Sequence, residues 1–357
     1  METLSIADLK AHVPANPGEY AVHAQVASLA KKETKTGKPY YEVELADTGG
    51  SLKLKAWQDS PAFPQVEVLK GREFVCASGH WQQSEYGLEA RDWGLRPLKD
   101  DETEGVMAGP EALRKKQATD YEWMEQTCGG LTDPRLRAVC ALFFEKFGAR
   151  FRRTGAARKN HHARRGGLVE HTAQMMRCAD AIAGVYPNLN RDLLLAGVLF
   201  HDCGKLWENS FPEKGFTMPY DFRAELMGHI SIGVEIVNAL WRETSESDAA
   251  AGWKTLEPSD DHVRLHLLHL VLSHHGQLEF GSPVMPKTPE AIALHFVDNI
   301  DARLEMFAEG YQTQTALSPE VFDRVWALGA NLVRPLGHFE EGAESDASDG
   351  LETRLPD

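Results

Sequence analysis

The chain has 357 residues, 42% of them hydrophobic and 25% charged, with a formal net charge of −15. That is a soluble globular composition with room for two cores, and it excludes a helical membrane protein, because no window approaches about 18 uncharged apolar residues. The N-terminus METLSIADLKAHVP has neither a basic region nor an apolar run, so the expected place is the cytoplasm, and five cysteines without a CxxC exclude a zinc ribbon or a disulfide framework.

Residues 1–98 alternate like strands, with turn signals such as Lys-Thr-Gly-Lys and Thr-Gly-Gly between them. Five strands are predicted, at 20–29, 39–46, 51–57, 72–81 and 87–95. They suit a small antiparallel β-barrel of the OB type, whose open face takes single-stranded nucleic acid on aromatic rings and cations. Tyr40 and Trp57 are the candidate stacking rings, from a pool that also holds Tyr41, Trp81, Tyr86 and Trp93. Most aromatics of so small a barrel belong to its core, so Lys31, Lys32, Lys35, Lys38, Lys53 and Lys55 mark a binding face better.

An acidic, Gly-containing joint follows, and 99–115 reads as a linker. From there to 339 the pattern is helical and predicts an all-α domain. Its helices include one begun by Thr132-Asp133-Pro134, then 168–183, 191–201, 222–242, 262–274, 289–307 and 319–333. Residues 244–261 read as a surface loop and 340–357 as a disordered acidic tail. Between 146 and 165 stand eight Lys or Arg and no acid, a phosphate-attracting stretch in which Arg152, Arg153, Arg158 and Lys159 are the candidate contacts. The competing reading is a solvated helix face.

The chemistry sits at the ends of apolar helices. DLLLAGVLFHDCGK (192–205) runs almost wholly apolar into His201 and Asp202, with Lys205 placed to reach back over a bound group. Buried there, an ionised Asp without a partner costs several kcal/mol or loses its charge. His171, His229 in MGHISIGVEIV, His274 and His275 after LLHLVLS, and Asp298 in ALHFVDNIDA repeat the pattern. Each alone reads as a satisfied core residue; four apolar helices that each bring His or Asp to a buried turn point to a metal centre. Imidazoles with two carboxylates suit Mn²⁺, Fe²⁺, Co²⁺ or Zn²⁺, and about six ligands are more than one open ion needs. Two divalent ions bridged by Asp202 and a hydroxide are expected, and with them phosphoester hydrolysis.

The segments HH…GGLVEHT, LLLAGVLFHDCGK, GHISIG and LSHHGQLEFGSPVMPKTPEAIALHFVDNIDA resemble the HD-domain phosphohydrolases. Together with TKTGKPYYEVELAD…LKLKAW ahead of them they are similar to the YhaM-type 3′-to-5′ exoribonucleases, in which an OB domain precedes an HD domain. The resemblance covers nearly the whole chain. It implies a metal set of His171, His201, Asp202, His229, His274 and Asp298, with Mn²⁺ first among the metals. It further implies Lys205 and His275 at the scissile phosphate, Asp301 behind the metals or facing substrate, and His161 and His162 on phosphate or the leaving oxygen. The implied substrate is single-stranded RNA, with single-stranded DNA and self-association left open and no membrane partner. The loop 244–261 and the tail depart from the family pattern, and Gly276 after the His pair with no GYP tripeptide excludes the cyclic-dinucleotide branch. Two alternatives compete with this reading: an HD nucleotidase or dNTP phosphohydrolase, opposed by the pairing of barrel and basic run, and a non-catalytic nucleic-acid binder, opposed by Lys205.

Overall fold

A computed structural model describes residues 1–84, 87–158 and 162–337; Tyr86, Lys159, His161 and the acidic tail lie outside them. The N-terminal part runs β1 (Glu2–Leu4), α1 (Ile6–His12), β2 (Gly18–Glu33), β3 (Pro39–Asp47), β4 (Gly50–Trp57), α2 (Ala62–Glu67), β5 (Phe74–Ser84) and β6 (Gly87–Pro97). The sheet order is β4-β3-β2-β5-β6, antiparallel throughout, with β1 added parallel to β2. β2 serves two ladders: Gly18 to Gln25 pairs with β5, while Gln25 to Glu33 pairs with β3. The register shift between Val26 and Ser28 falls where one ladder gives way to the other, and a bulge there bends the strand and curls the sheet. Val22, Val43, Leu45, Trp81 and Trp93 fill the curl. Among the described residues no ladder joins β4 to β6, but the Trp93 indole donates to the Lys55 carbonyl across that gap at 3.3 Å.

The expected linker is mostly helix: α3 (Asp100–Ala108) and then α4 (Glu111–Gly129). Its acids are helix-starting residues, not a solvated joint. Asp100, Asp101 and Glu102 occupy the first turn, where the helix dipole favours negative charge, and Glu102 accepts from the Lys99 backbone N–H at 2.9 Å.

The helical part continues with α5 (Pro134–Phe151), α6 (Gly167–Val185), α7 (Arg191–Phe200), α8 (Lys205–Glu208), α9 (Phe222–Ser245), α10 (Asp260–Ser273) and α11 (Pro289–Thr313). The side chains of Asp133, Asn190, Asp221 and Thr288 cap α5, α7, α9 and α11. These helices share one core, in which α7 is buried from Leu193 to Phe200. The predicted helix over 319–333 is instead a hairpin, β7 (Val321–Val325) and β8 (Ala330–Val333). Val321, Val325 and Val333 favour strand, and Phe322 pairs across from Leu332 with both side chains buried. The all-α expectation therefore ends at α11.

The two parts meet in a small apolar seam. Phe211 and Phe216, from the loop between α8 and α9, pack with Ala46 and Val106, and the Gln25 side-chain oxygen accepts from the Phe216 N–H at 2.7 Å.

Candidate metal centre

The site is assembled from four imidazoles, each held by its Nδ1. At the end of α7 the His201 Nδ1 donates to the Val198 carbonyl at 2.8 Å, and at the end of α10 the His274 Nδ1 donates to Val271 at 2.8 Å. On α6 the His171 Nδ1 lies 2.6 Å from Asp301 Oδ2, and on α9 the His229 Nδ1 lies 2.9 Å from Glu208 Oε2. A hydrogen bond at Nδ1 fixes the tautomer and leaves Nε2 as the basic face.

The four Nε2 atoms converge on Asp202 from two sides. Its Oδ2 is 3.2 Å from His201 and 3.7 Å from His171, whereas its Oδ1 is 3.5 Å from His229 and 3.6 Å from His274. Asp298 Oδ1 adds to the first side, 3.4 Å from His171 Nε2. Among the described residues the buried Nε2 atoms of His201, His229 and His274 and Asp202 Oδ1 make no hydrogen bond. Leaving such groups unsatisfied costs about 1–3 kcal/mol each, so their convergence is explained by a divalent ion shared among nitrogen and oxygen donors. His171, His201 and Asp202 form one group able to hold a metal, and His229, His274 and His275 form another.

Two local features of the chain make this packing feasible. α9 is interrupted at Gly228, whose φ of 68° and ψ of 160° are open to glycine, so that His229 leads the longer part of the helix toward Asp202. Gly204 has a right-handed φ of −66°, and glycine is needed there because a Cβ would lie 1.9 Å from the His229 carbonyl oxygen.

The electrostatics follow from burial and pairing. Burial opposes charge on Asp202, but Lys205, whose Nζ is 2.6 Å from Oδ2, and His201 hold its carboxyl well below the usual range. Burial alone would push His171 down; the carboxylates of Asp298 and Asp301 outweigh it and hold the ring of the metal-free chain at about 9, so a divalent ion at its Nε2 would have to displace that proton. His274, buried beside His201, is pushed well down and stays neutral, as a metal ligand must. The centre opens into a cavity of about 400 Å³ lined by Lys205, His275, Phe280, Asp298, Arg303 and Ala327.

Of its two expected places Asp301 takes the one behind the metal-side residues: it is buried, lies 2.6 Å from His171 Nδ1 and accepts from the Gln174 amide at 2.8 Å. Other expectations change. His162 is fully buried behind it, 3.2 Å from Asp301 Oδ2 and 3.6 Å from Glu305, and is too deep to touch phosphate. The basic stretch mostly braces the fold. Arg153 donates to the Phe211 carbonyl, Arg158 to those of Glu208 and Pro219, and Arg165 to those of Pro212 and Glu213, while Arg152 lies 3.7 Å from the centre of the Tyr121 ring. Carbonyls at the end of α8 and in the loop leading to α9 take the donors that were expected to meet phosphate. His275 lies at the cavity wall, its Nδ1 2.8 Å from the Phe280 carbonyl, with the His274 ring centre at 4.4 Å.

Two supporting residues escape a reading of the sequence. Glu208 carries no signal beyond its nearness to Lys205. His295, whose Nδ1 donates to the His274 carbonyl at 2.9 Å, stands one turn before Asp298 on the same helix, and that spacing could have found it. In the sheet, Tyr40 and Trp57 are cross-strand partners with ring centres 4.8 Å apart, Trp57 is exposed, and the Lys55 Nζ lies 5.7 Å from its ring. Beside them a cavity of about 770 Å³ opens between β4 and β6, lined by Lys53, Lys55, Trp57, Arg91 and Trp93 among others.

The family model of the HD domain matches residues 168–303, from α6 to α11. The chain is also similar over most of its length to proteins named 3′-5′ exoribonuclease YhaM. That of Bacillus velezensis is 33% identical over 88% of this chain and 94% of the relative. That of Bacillus subtilis is 32% identical over the same shares, and that of a Geobacillus species 31% identical over 86% of this chain and 89% of the relative.

Proposed function

The chain belongs to the YhaM family of 3′-5′ exoribonucleases, and from that premise we propose that it removes nucleotides from the 3′ end of single-stranded RNA by hydrolysing phosphodiester bonds at the centre around Asp202. The observation that carries this reading is the approach of four Nε2 atoms to the two oxygens of one buried carboxylate at the foot of a nucleotide-sized cavity.

His171, His201, Asp202 and Asp298 would hold one divalent ion, and His229, His274 and the other oxygen of Asp202 a second, with Mn²⁺ the first choice and Fe²⁺, Co²⁺ or Zn²⁺ compatible with the same donors. Bound there, such ions activate a water and stabilise charge on the phosphoryl oxygens. The protein's own groups do the rest. Lys205, half-buried against Asp202 and lining the cavity, offers its ammonium to a non-bridging phosphate oxygen. His275, on the same wall, is placed to hold the phosphate or to give a proton to the leaving 3′ oxygen. Asp301 and Glu208 keep their imidazoles in one tautomer and one orientation.

The curled sheet serves in this reading as an OB-type module, residues 1–98, that grips the strand upstream of the cut, with Trp57 stacking under a base and Lys53, Lys55 and Arg91 near phosphates. Single-stranded DNA fits the same contacts. No helix is long and apolar enough to cross a membrane among the described residues, and the cytoplasm is the proposed place of action.

The test is one gel. With Mn²⁺, 5′-labelled linear RNA should shorten from its 3′ end, a 3′-phosphate or a stable 3′ hairpin should block it, and chelator should stop it. Circular RNA decaying as fast as linear RNA, or turnover of mononucleotides alone, would defeat the proposal.

A further inference from the structure

Trp326 has no structural task. The hairpin that carries it is anchored on one face: Phe322 packs on Tyr311 of α11 with ring centres 5.5 Å apart, Leu332 lies against Gly310, and the Tyr311 hydroxyl donates to the Val333 carbonyl at 2.9 Å. The turn at its tip is firm, with the Gly329 N–H bonded back to the Val325 carbonyl at 3.0 Å. On that tip Trp326 is 84% exposed, the largest side chain of the hairpin left in water, and the Arg324 guanidinium sits 4.9 Å from its ring centre.

Its position gives it a use. Ala327, the next residue, lines the same cavity as Asp202, Lys205, Asp298 and Arg303. The turn therefore stands at the rim of the catalytic cavity, and about 400 Å³ is the space of one nucleotide and not of a continuing strand. The cationic groups on the cavity wall suit phosphate. Phe280 is the one Phe, Tyr or Trp ring on the cavity wall, and Trp326, one residue before Ala327, adds a second and larger ring at the rim.

We infer that Trp326 is the stacking platform for the base of the 3′-terminal nucleotide, with Arg324 fixing the ring. This rests on the strand-degrading function proposed above. Stacking on indole is open to every base, so the platform selects for a terminal nucleotide and not for a sequence. It touches the part of the substrate that leaves, whereas the sheet grips the part that stays.

The experiment measures KM and kcat of wild type, W326A and W326Y on an RNA whose 3′-terminal nucleotide either carries its base or is abasic. W326A should raise KM on the normal strand by about 5- to 100-fold, more than it lowers kcat, and W326Y should recover most of the loss. Removing the terminal base should cost wild type a similar factor and W326A little further. Trp326 is exposed, so a folding defect in W326A is not expected; a circular-dichroism melt checks it. A W326A enzyme with wild-type KM, or an abasic penalty equally large in both proteins, overturns the platform alone. Wild type that hydrolyses bis-p-nitrophenyl phosphate but spares RNA overturns the strand reading, and the platform with it.

Discussion

The helical part and the sheet handle polar groups in opposite ways. Around Asp202, imidazoles and carboxylates are taken out of water and each is held by a second group, whereas on the sheet Lys55, Trp57 and Arg91 stand at a surface with few fixed partners. A buried array must be built to tolerances of tenths of an ångström, so its supporting residues matter almost as much as the ligands. A surface grip is a sum of weak, replaceable contacts. The contrast teaches that loss of one group should be severe in the first region and graded in the second.

The largest effect expected is that of D202N, which keeps the shape of the site and removes the charge between its two sides. RNA decay should fall by more than about 100-fold and bound metal with it, measured by elemental analysis of the purified protein. Near-normal activity would erase the contrast. Next come the supporting residues. D301N and E208Q should each weaken metal binding by about 10- to 100-fold in a calorimetric titration, with little change in the melting temperature.

On the sheet, W57A should raise KM for RNA by about fivefold, at the low end of what base stacking supplies, without touching metal content. K53A and K55A should flatten the salt dependence of strand binding, the log–log slope falling by about 0.7 for each phosphate that is no longer neutralised. R158A makes the sharper test, since its guanidinium holds three carbonyls at the end of α8 and in the loop beyond it. It should lower the melting temperature and leave the salt slope alone, the reverse of what a phosphate-binding arginine would do.

The smallest effect concerns stability and pH at the border between the two regions. Glu309 on α11 is pushed up to about 7, by burial first and by Glu305 second, against the opposing influence of Arg164 and Lys10. A carboxyl raised in this way binds its proton more tightly in the folded chain than in the unfolded one. Stability therefore falls as pH climbs from about 4.5 toward about 7, and the loss is complete above that window. Partial exposure discounts the effect to the order of 1 kcal/mol. E309Q should melt a few degrees higher than wild type at pH 8 and at the same temperature near pH 4.

The same contrast explains what can be read from the residues alone. His201, Asp202, His274 and Asp298 betray themselves as polar interruptions of apolar helices, and the five long strands betray themselves by alternation. Asp301 interrupts the same apolar helix as Asp298, and His162 lies in a polar stretch, so nothing local says that one lies behind the other and both lie behind His171. The arginines from 150 to 165 are the instructive failure. Charge density in a sequence does not reveal whether guanidinium donors meet phosphates or the carbonyls of a loop some 50 residues onward, because that pairing is settled by tertiary packing. The hairpin over 321–333 is hidden for a related reason: its apolar residues suit either period until Phe322 and Leu332 find α11.

The seam between sheet and helices sets a limit on modularity. Phe211 and Phe216 belong by chain to the helical part and by burial to the sheet, and the loop carrying them is laced in place by Arg153, Arg158 and Arg165. A cut after residue 98 would strip from the two phenylalanines the cover that the sheet gives them through Ala46 and Phe74, and from the Phe216 amide the acceptor that Gln25 supplies. The sheet thus cannot be exchanged like a bead on a string. A graft of another strand-binding module onto α6–α11 would have to bring a matching socket for those two rings, and a Gln at its floor.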